Sequence, residues 1–272
     1  MVVADLHAHT TLSDGTLTLE TLPAAAARAG VEAVALTDHD RFHPGLNAPV
    51  SDVGGVTVVR GIELRVETGG ERVDLLGYGL CETDALRAEC ERLQRDRVER
   101  GQRIIEAVEA ETGVDLELEP REGLGRPHVA RAVAASDAPY DVDGAFEHLI
   151  GNDGPCFVAR DVTPYERGRD LLADACALVG LAHPFRYDDP GAALDLCADL
   201  DAVERHYPYG DRGTDDPARV ERVAREHDLL LTGGSDAHDE RLGVAGLGAD
   251  GWAAVRERLP DDPAAGDRNR RV

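Results

Sequence analysis

The fold is decided by residues 2–14, which read VVADLHAHTTLSD. A short apolar run that ends in His-x-His is typical of a buried strand with two imidazoles at its C-terminal tip. Because residues i and i+2 of a strand point to the same side, His7 and His9 face one point in space. Asp14 follows after a turn that is long enough to fold back over that point. The pattern therefore predicts two imidazoles and a carboxylate around one metal position.

The chain has 272 residues, of which 42% are hydrophobic, a length and composition that suit one α/β barrel with a small insert. No basic segment followed by an apolar run opens the sequence, so we expect no signal peptide. Nothing approaches the ~18 apolar residues of a membrane span. We therefore expect a cytoplasmic protein without a membrane partner.

The charge of the chain is extreme, with 53 acidic residues against 29 basic ones and a net charge of −24. Every basic residue is Arg. A dispersed acidic surface without Lys is typical of proteins that stay soluble at very high salt, so we interpret the protein as halophilic. The alternative, an acidic face for a basic partner, would need runs of acids. The arginines are also interleaved with acids, which argues against extended duplex nucleic acid as a partner.

Alternation of strands and helices after the first strand predicts a parallel α/β fold. Apolar runs predict further strands at residues 31–37, 56–62, 73–78, 178–182, 200–203 and 229–232. Helices are predicted at residues 16–29 and 164–177, after Pro190 and Pro217, and at residues 253–259. Thr18 is expected to cap the first helix and Gly30 to end it.

The alternation breaks between residues 84 and 163, where no strand pattern is visible. A long charged helix is predicted at residues 84–112, followed by Gly-Arg-Pro-His at 125–128 and two short helices. We predict one discontinuous barrel domain, residues 1–83 and 164–259, with a helical insert or cap at 84–163. The tail, residues 260–272, is rich in Pro, Asp and Arg and is predicted to be disordered.

Metal-binding residue types recur at the predicted strand ends. They are His7, His9, Asp14, His39, Glu63, Asp74 (inside its strand), His183, Asp236 and His238. Any one of them alone would be explained as a structural hydrogen-bonding residue, but function collects at the C-terminal ends of parallel barrel strands. Imidazoles and carboxylates without thiolates suit Mn²⁺, Zn²⁺, Fe²⁺ or Mg²⁺. Nine ligands fit two or three divalent ions, an arrangement used to hydrolyse phosphate esters.

The order His-x-His, Asp, Thr-Asp-His, Gly-x-Glu, Ala-His-Pro and Ser-Asp-x-His resembles the PHP family, the polymerase and histidinol phosphatase superfamily of metal-dependent phosphoesterases. These motifs span residues 7 to 238. The insert with Gly-Arg-Pro-His resembles the subgroup that acts on nucleoside 3′,5′-bisphosphates and short RNA 5′ ends. The resemblance implies a distorted (β/α)₇ TIM-like barrel with a helical insertion and up to three metal ions.

By this resemblance the nine residues above are the metal ligands, with Glu63 as a bridging carboxylate, and all of them except Asp74 also form the catalytic set. The family usually has His where this chain has Asp74. The change is expected to favour Mn²⁺ or Mg²⁺ or to weaken one metal position. A solvated strand residue is the alternative interpretation of Asp74.

Four further residues are predicted to bind substrate: Arg126, His128, Arg186 and His206. Arg126 and Arg186 could bind phosphate in bidentate fashion. His206, with Tyr207 and Tyr209, could stack a base or protonate a leaving oxygen. Ordinary surface positions and loop packing are the alternatives for all four.

The expected function is hydrolysis of a phosphate ester of a nucleotide or short RNA 5′ end through a metal-bound hydroxide. The enzyme would be a nucleoside 3′,5′-bisphosphate 3′-phosphatase or a 5′–3′ exoribonuclease. Histidinol phosphatase is an alternative, against which the insert argues. A non-catalytic PHP accessory module of a polymerase or repair complex is an alternative from another class, and it predicts degraded ligands. The sequence does not predict the oligomeric state.

Overall fold

The computed structural model describes residues 1–210 and 216–260, so all of the predicted tail except Pro260 lies outside the described residues. The strands are β1 Ala4–Ala8, β2 Ala33–Leu36, β3 Val50–Val53, β4 Val56–Glu67, β5 Arg72–Tyr78, β6 Thr163–Pro164, β7 Leu178–Leu181, β8 Ala202–His206 and β9 Leu230–Gly233. The helices are α1 Leu22–Ala29, α2 Asp84–Thr112, α3 Arg126–Ala135, α4 Val142–Ala145, α5 Tyr165–Ala175, α6 Pro190–Asp195, α7 Pro217–His227 and α8 Ala249–Arg258.

Seven of these strands form a barrel-shaped sheet in the order β1-β2-β4-β5-β7-β8-β9. Ala8 at the end of β1 pairs in parallel with Ala237, which follows β9, so the sheet is nearly closed. Leu6, Ala33 and Leu178 belong to one fully buried apolar cluster. The predicted distorted TIM-like barrel is confirmed. Its parallel strands direct their C-terminal ends to one edge, where the polar motifs lie.

Strand β5 departs from the parallel arrangement. It pairs antiparallel with both β4 and β7. The expectation of a parallel sheet is wrong here because residues 68–71 form a hairpin turn, far too short for the crossover that a parallel connection requires. The reversal places Asp74, near the start of β5, at the same barrel edge as the C-terminal ends of the parallel strands. Strand β4 also continues to Glu67, so Glu63 lies within a strand and does not end it.

The sequence-based prediction also missed two short strands, β3 and β6. Strand β3 pairs antiparallel with β4, with Val50 opposite Val59. The polar residues at its centre hid it from a search for apolar runs.

Helix α1 begins at Leu22, later than predicted, because the Thr18 hydroxyl accepts a hydrogen bond from the Thr21 backbone N–H and forms a turn. Gly30 ends α1 with a positive φ of 69°, as expected.

Helix α2 joins the barrel to the predicted insert. Thr83 caps it by accepting a hydrogen bond from the Leu86 backbone N–H. Leu86 and Leu93 in its first half pack into a barrel cluster, whereas Ile104 and Val108 in its second half pack into a separate cluster with α3 and α4. The proposed boundaries at residues 84 and 163 stay a prediction. Within the described residues, no helix combines the length and apolarity needed to span a bilayer.

Candidate metal centre and active site

All nine predicted ligands meet at one edge of the barrel. They form four overlapping groups in which the ligand atoms lie within 4.8 Å of one another. The groups are His9, Asp14, His39 and His238; His7, His9 and Glu63; His7, His183 and Asp236; and Glu63, Asp74 and His183. Most of these side chains come from strand ends and the loops after them, whereas Glu63 lies within β4 and Asp74 near the start of β5. The structure thus brings together every residue that the motifs single out as a ligand.

Glu63 lies at the centre of this cluster, with 1% of its surface exposed. Its Oε1 lies 3.0 Å from His183 Nε2 and 3.4 Å from His7 Nε2, and its Oε2 lies 2.7 Å from His39 Nδ1 and 3.5 Å from His9 Nε2. Burial alone would raise the pKa of Glu63. The charges of His39 and His7, and the hydrogen bond from His183, hold that pKa well below its usual value. Glu63 is therefore an ionised carboxylate with oxygens on two sides, as a bridging ligand requires.

Several buried cluster atoms have no hydrogen bond of favourable geometry among the described residues, although an imidazole nitrogen lies close to two of them. They are His7 Nε2, His9 Nδ1, Asp14 Oδ1, Glu63 Oε2 and His183 Nδ1. An unpaired buried nitrogen or oxygen costs free energy, and a metal ion in the cluster would satisfy His7 Nε2, Asp14 Oδ1 and Glu63 Oε2. The donor set of imidazole nitrogens and carboxylate oxygens fits a divalent ion.

Asp74 is buried, with 1% of its surface exposed, so its interpretation as a solvated strand residue is wrong. Its two oxygens accept hydrogen bonds from Arg65, at 2.7 Å from Nε and 2.5 Å from Nη2. His183 Nε2 lies 3.8 Å from Asp74 Oδ2. Burial would raise the pKa of Asp74, but the guanidinium of Arg65 lowers it. Asp74 thus reaches the cluster as a carboxylate paired with an arginine.

Glu204 has a role that sequence reasoning missed. It is fully buried, accepts a hydrogen bond from His7 Nδ1 at 3.2 Å and accepts another from the His183 backbone N–H at 2.8 Å. A carboxylate on Nδ1 directs the other ring nitrogen, Nε2, of His7 toward the cluster. Glu204 follows a predicted strand, as most of the predicted ligands do, and this position could have marked it as a candidate site residue.

Two further buried carboxylates, Asp5 and Asp38, form hydrogen bonds with the loops that carry Asp236 and Asp14. Asp5 accepts hydrogen bonds from the Ser235 backbone N–H at 2.9 Å and from Ser235 Oγ at 2.6 Å, next to Asp236. Asp38 accepts hydrogen bonds from Thr10 and Ser13 at the base of the loop that carries Asp14. Alternation along β1 places Asp5 on the same side as His7, a signal that the sequence carries.

The buried imidazoles differ in their affinity for protons. Burial lowers the pKa of His7, but the carboxylates of Glu204, Asp236 and Glu63 together raise it well above its usual value. Burial and the neighbouring ligand His39 lower the pKa of His9. His9 is therefore neutral near pH 7 and ready to bind metal.

His238 lies at the more exposed side of the cluster. Burial acts to lower its pKa, but the close carboxylate of Asp14 and the charge of Asp236 raise the pKa to about 9. Its Nε2 lies 3.3 Å from Asp14 Oδ1. His238 therefore carries a proton at neutral pH in the metal-free protein, and metal binding must displace that proton.

The cluster opens into a cavity of about 320 Å³ whose walls are rich in arginine. The lining arginines are Arg65, Arg72, Arg97, Arg100, Arg126, Arg160 and Arg186. Asp40 holds two of them, since it accepts hydrogen bonds from Arg97 and Arg160. Sequence analysis named only Arg126 and Arg186, because the other five come from separate elements without a shared motif. Although the chain as a whole is strongly acidic, seven of its 29 arginines line this one cavity.

Two of these arginines, Arg100 and Arg126, form no ion pair with any described carboxylate. Arg126 Nη1 donates to the carbonyl of Ile150 at 3.1 Å and to Asn152 Oδ1 at 3.0 Å, and Arg100 Nε donates to the carbonyl of Val158 at 2.8 Å. Burial and the charges of neighbouring arginines, Arg126 first, lower the pKa of Arg100 to about 10. Both remain protonated at neutral pH, so their positive charges are available to bind an anionic substrate.

The remaining predicted substrate residues lie in different places. Arg186 Nη1 lies 3.1 Å from Asp236 Oδ2 at the cavity wall. His128 does not line this cavity, and its Nδ1 accepts a hydrogen bond from the Gly125 backbone N–H at 3.1 Å. His206 lines a separate cavity of about 310 Å³ with Tyr207 and Tyr209. The structure therefore places two of the four beside the cluster, and the binding roles of all four stay predictions.

The chain matches the PHP domain family over residues 5–174. The protein belongs to the PHP family. The phosphoribosyl 1,2-cyclic phosphate 1,2-diphosphodiesterase of Eggerthella lenta is 33% identical over 259 residues, which cover 87% of this chain and 94% of the relative. The 3′,5′-nucleoside bisphosphate phosphatase of Chromobacterium violaceum is 29% identical and covers 88% of both chains. The 5′-3′ exoribonuclease Rnm of Escherichia coli is 28% identical over 87% of this chain and 85% of its own.

A solved structure of a proposed metal-dependent phosphoesterase from Bifidobacterium adolescentis shares the fold of this PHP protein. It superposes with a TM-score of 0.79 over 96% of this chain and 97% of its own, at 23% identity. The family that the order of motifs predicted is therefore confirmed, and so is the barrel.

Proposed function

We propose that this PHP protein hydrolyses a phosphate ester of a nucleotide that carries a second phosphate, at the metal-ligand cluster. The predicted phosphoesterase class is confirmed, because the chain belongs to the PHP family and its curated relatives are a phosphodiesterase, a phosphatase and exoribonucleases. One observation supports a substrate with two phosphates over a substrate with one. The nine ligands open into a cavity lined by seven arginines, which suits a polyanion.

Divalent ions held by the nine ligands would supply an acidified water and positive charge for the phosphoryl oxygens. The chain itself excludes bulk water around Glu63 and His7, which are almost fully buried. Arg65 and Arg186 contact the ligands Asp74 and Asp236, so they are placed to orient the phosphate that reacts. Arg100 and Arg126 are placed to bind the second phosphate.

The same cavity offers groups suited to a nucleoside. Phe146, Phe157 and Asn152 line it, and the Arg126 guanidinium lies 5.7 Å from the centre of the Phe157 ring. Aromatic rings stack on nucleobases, and an amide can hydrogen-bond a base edge. These contacts support a nucleotide over histidinol phosphate, whose ammonium group would be repelled by the arginines.

The non-catalytic alternative predicts a degraded ligand set, whereas all nine candidate residues are present and form groups whose ligand atoms lie within 4.8 Å of one another. Geometry therefore supports an enzyme. The curated relatives leave two other phosphate esters to test beside a nucleoside bisphosphate. They are the cyclic phosphate named for the Eggerthella relative and the RNA 5′ ends implied by the exoribonuclease relatives.

The test is hydrolysis of a panel of substrates in high-salt buffer with Mn²⁺, measured as phosphate release from the monoesters and by chromatography of the products from the cyclic ester and the RNA. The panel comprises 3′-phosphoadenosine 5′-phosphate, AMP, histidinol phosphate, phosphoribosyl 1,2-cyclic phosphate and a short 5′-phosphorylated RNA. We expect the bisphosphate to be hydrolysed fastest, with activity lost in His9→Ala and kept in His227→Ala, an exposed histidine on α7. Preferential hydrolysis of histidinol phosphate, the cyclic ester or RNA would overturn the proposed substrate, and no hydrolysis of any ester would overturn the proposed activity.

A further inference from the structure

An arginine lies within the metal-ligand cluster, paired with one of its carboxylates. We infer that Arg65 acts as a built-in cation at the position of Asp74, so that the cluster binds two divalent ions tightly and a third only weakly. The inference rests on the proposed function in one respect, that the cluster binds divalent ions. It goes beyond that function by assigning how many ions bind tightly and which residue substitutes for the third.

The first step concerns which ligands each group has to itself. In the group of Glu63, Asp74 and His183, Glu63 is shared with the group of His7 and His9, and His183 is shared with the group of His7 and Asp236. Asp74 is therefore the one ligand that belongs to this group alone. By contrast, the group around His9 has Asp14, His39 and His238 to itself. An ion beside Asp74 would thus have one ligand of its own, as an ion beside Asp236 would, whereas an ion beside His9 would have three.

The second step is that both oxygens of Asp74 already have a cationic partner. Arg65 Nε lies 2.7 Å from Oδ1, and Arg65 Nη2 lies 2.5 Å from Oδ2, a bidentate pair. Neither Asp74 oxygen is among the unpaired buried atoms, whereas Asp14 and Glu63 each contribute one. A metal ion would therefore satisfy an unpaired oxygen at Asp14 and at Glu63, whereas Asp74 has no unpaired oxygen to satisfy.

The third step is electrostatic. A divalent ion bound to Asp74 would lie close to the Arg65 guanidinium, and two cations repel strongly in a buried site. Asp74 is 1% exposed, and its backbone N–H donates to the Tyr187 hydroxyl at 2.8 Å, so the carboxylate has little room to leave Arg65. Arg65 also lines the cavity. It thus presents a fixed positive charge to a phosphate oxygen on the side of the cluster where a third ion would bind.

The experiment counts Mn²⁺ ions by calorimetric titration of the metal-free protein, with elemental analysis of the loaded protein after gel filtration. We expect two tight equivalents in the wild type and a third that binds about 100-fold more weakly, the upper range for changes in outer-shell partners. Asp74→Asn should keep both tight ions. Asp14→Asn, the matched carboxylate-to-amide control, should lose one. Asp74→His, which releases Arg65 and supplies a neutral ligand, should bind three ions tightly.

Three tight ions in the wild type, or a tight ion lost from Asp74→Asn, would overturn the inference, and neither result depends on how Asp74→His folds. Phosphate release measured on the same wild-type samples separates the two proposals. Active protein with three tight ions would contradict this inference alone. Protein that holds two tight ions but hydrolyses no phosphate ester would contradict the proposed function alone.

Discussion

The Nδ1 atom of His7 lies 3.2 Å from Oε1 of Glu204, a residue 197 positions further along the chain. The contact leaves Nε2 of His7 directed at Glu63 and Asp236, at 3.4 and 3.5 Å. Strand β8 thereby controls the orientation of a ligand on β1. Because Glu204 is fully buried, water cannot replace it as a partner of His7.

Replacing Glu204 by Gln should weaken metal binding without unfolding the barrel. The amide keeps the shape of the side chain but removes the negative charge that makes His7 a stronger ligand. Mutation of such outer-shell partners lowers metal affinity by about 10- to 100-fold. Competition for Mn²⁺ against a chelator measures the change. Glu221→Gln, which removes a charge paired with Arg205 outside the cluster, is the control and should leave metal affinity unchanged.

Metal affinity should increase with pH up to about 9. His238 has a pKa raised to about 9, so it is protonated below that value and must lose its proton before it binds metal. Titrations in buffers of different ionisation heat will count the protons released. The stability of the metal-free protein should change in the opposite direction, because the raised pKa stabilises the fold below about pH 6.5. That contribution is lost as the pH rises through 9. His238→Gln should flatten both profiles, and unchanged profiles in this variant would refute the assignment.

Removing the charge of Arg126 should weaken substrate binding and leave the metal ions in place. A hydrogen bond to a charged group contributes about 1.5–3 kcal/mol, so Arg126→Ala should raise KM about 10- to 100-fold with a smaller effect on kcat. Steady-state kinetics with 3′-phosphoadenosine 5′-phosphate provide the measurement. Arg131→Ala, an exposed arginine on the same helix α3, should behave like the wild type. Equal effects of the two variants would show that Arg126 does not bind the phosphate.

Asp40 should be important for stability, because it pairs with two arginines of the cavity wall. It is fully buried with a positive φ of 53°, and burial, which raises its pKa, is outweighed by Arg160 and Arg97, which lower that pKa to about 2. Asp40→Asn leaves the two guanidinium groups without their carboxylate and should cost about 3–5 kcal/mol of unfolding free energy. Urea unfolding measures the loss. Glu91→Gln, an exposed acid on α2, should change stability by less than about 0.5 kcal/mol.

Salt should stabilise this protein. The net charge of −24 makes the folded chain repel itself, and the screening length falls from about 10 Å at 0.1 M salt to about 3 Å at 1 M. Thermal unfolding in KCl at these two ionic strengths should therefore show a higher Tm at the higher concentration. A Tm that is unchanged or falls with salt would contradict the halophilic interpretation.

The gathering of the nine predicted ligands at one edge could be predicted from sequence because most of them lie in short motifs at the end of an apolar run. Period-2 alternation places His7 and His9 on one side of a strand, and parallel strands bring their C-terminal ends together. The prediction of the family and the barrel follows from these local rules. Asp74 was predicted as a ligand, but the reversal of β5 was missed, although Gly69-Gly70 between the two apolar runs is a hairpin signal.

The sequence by itself determined the barrel, the clustering of the nine predicted ligands at one edge and the class of chemistry, because strand periodicity and local motifs encode them. Only the tertiary structure decided three further features. They are the arginine lining of the cavity, the pairing of Arg65 with Asp74 and the support that Glu204 gives to His7. Each brings side chains from different strands or helices within a few ångströms. Such contacts depend on the packing of whole elements and leave no pattern in any single stretch of the chain.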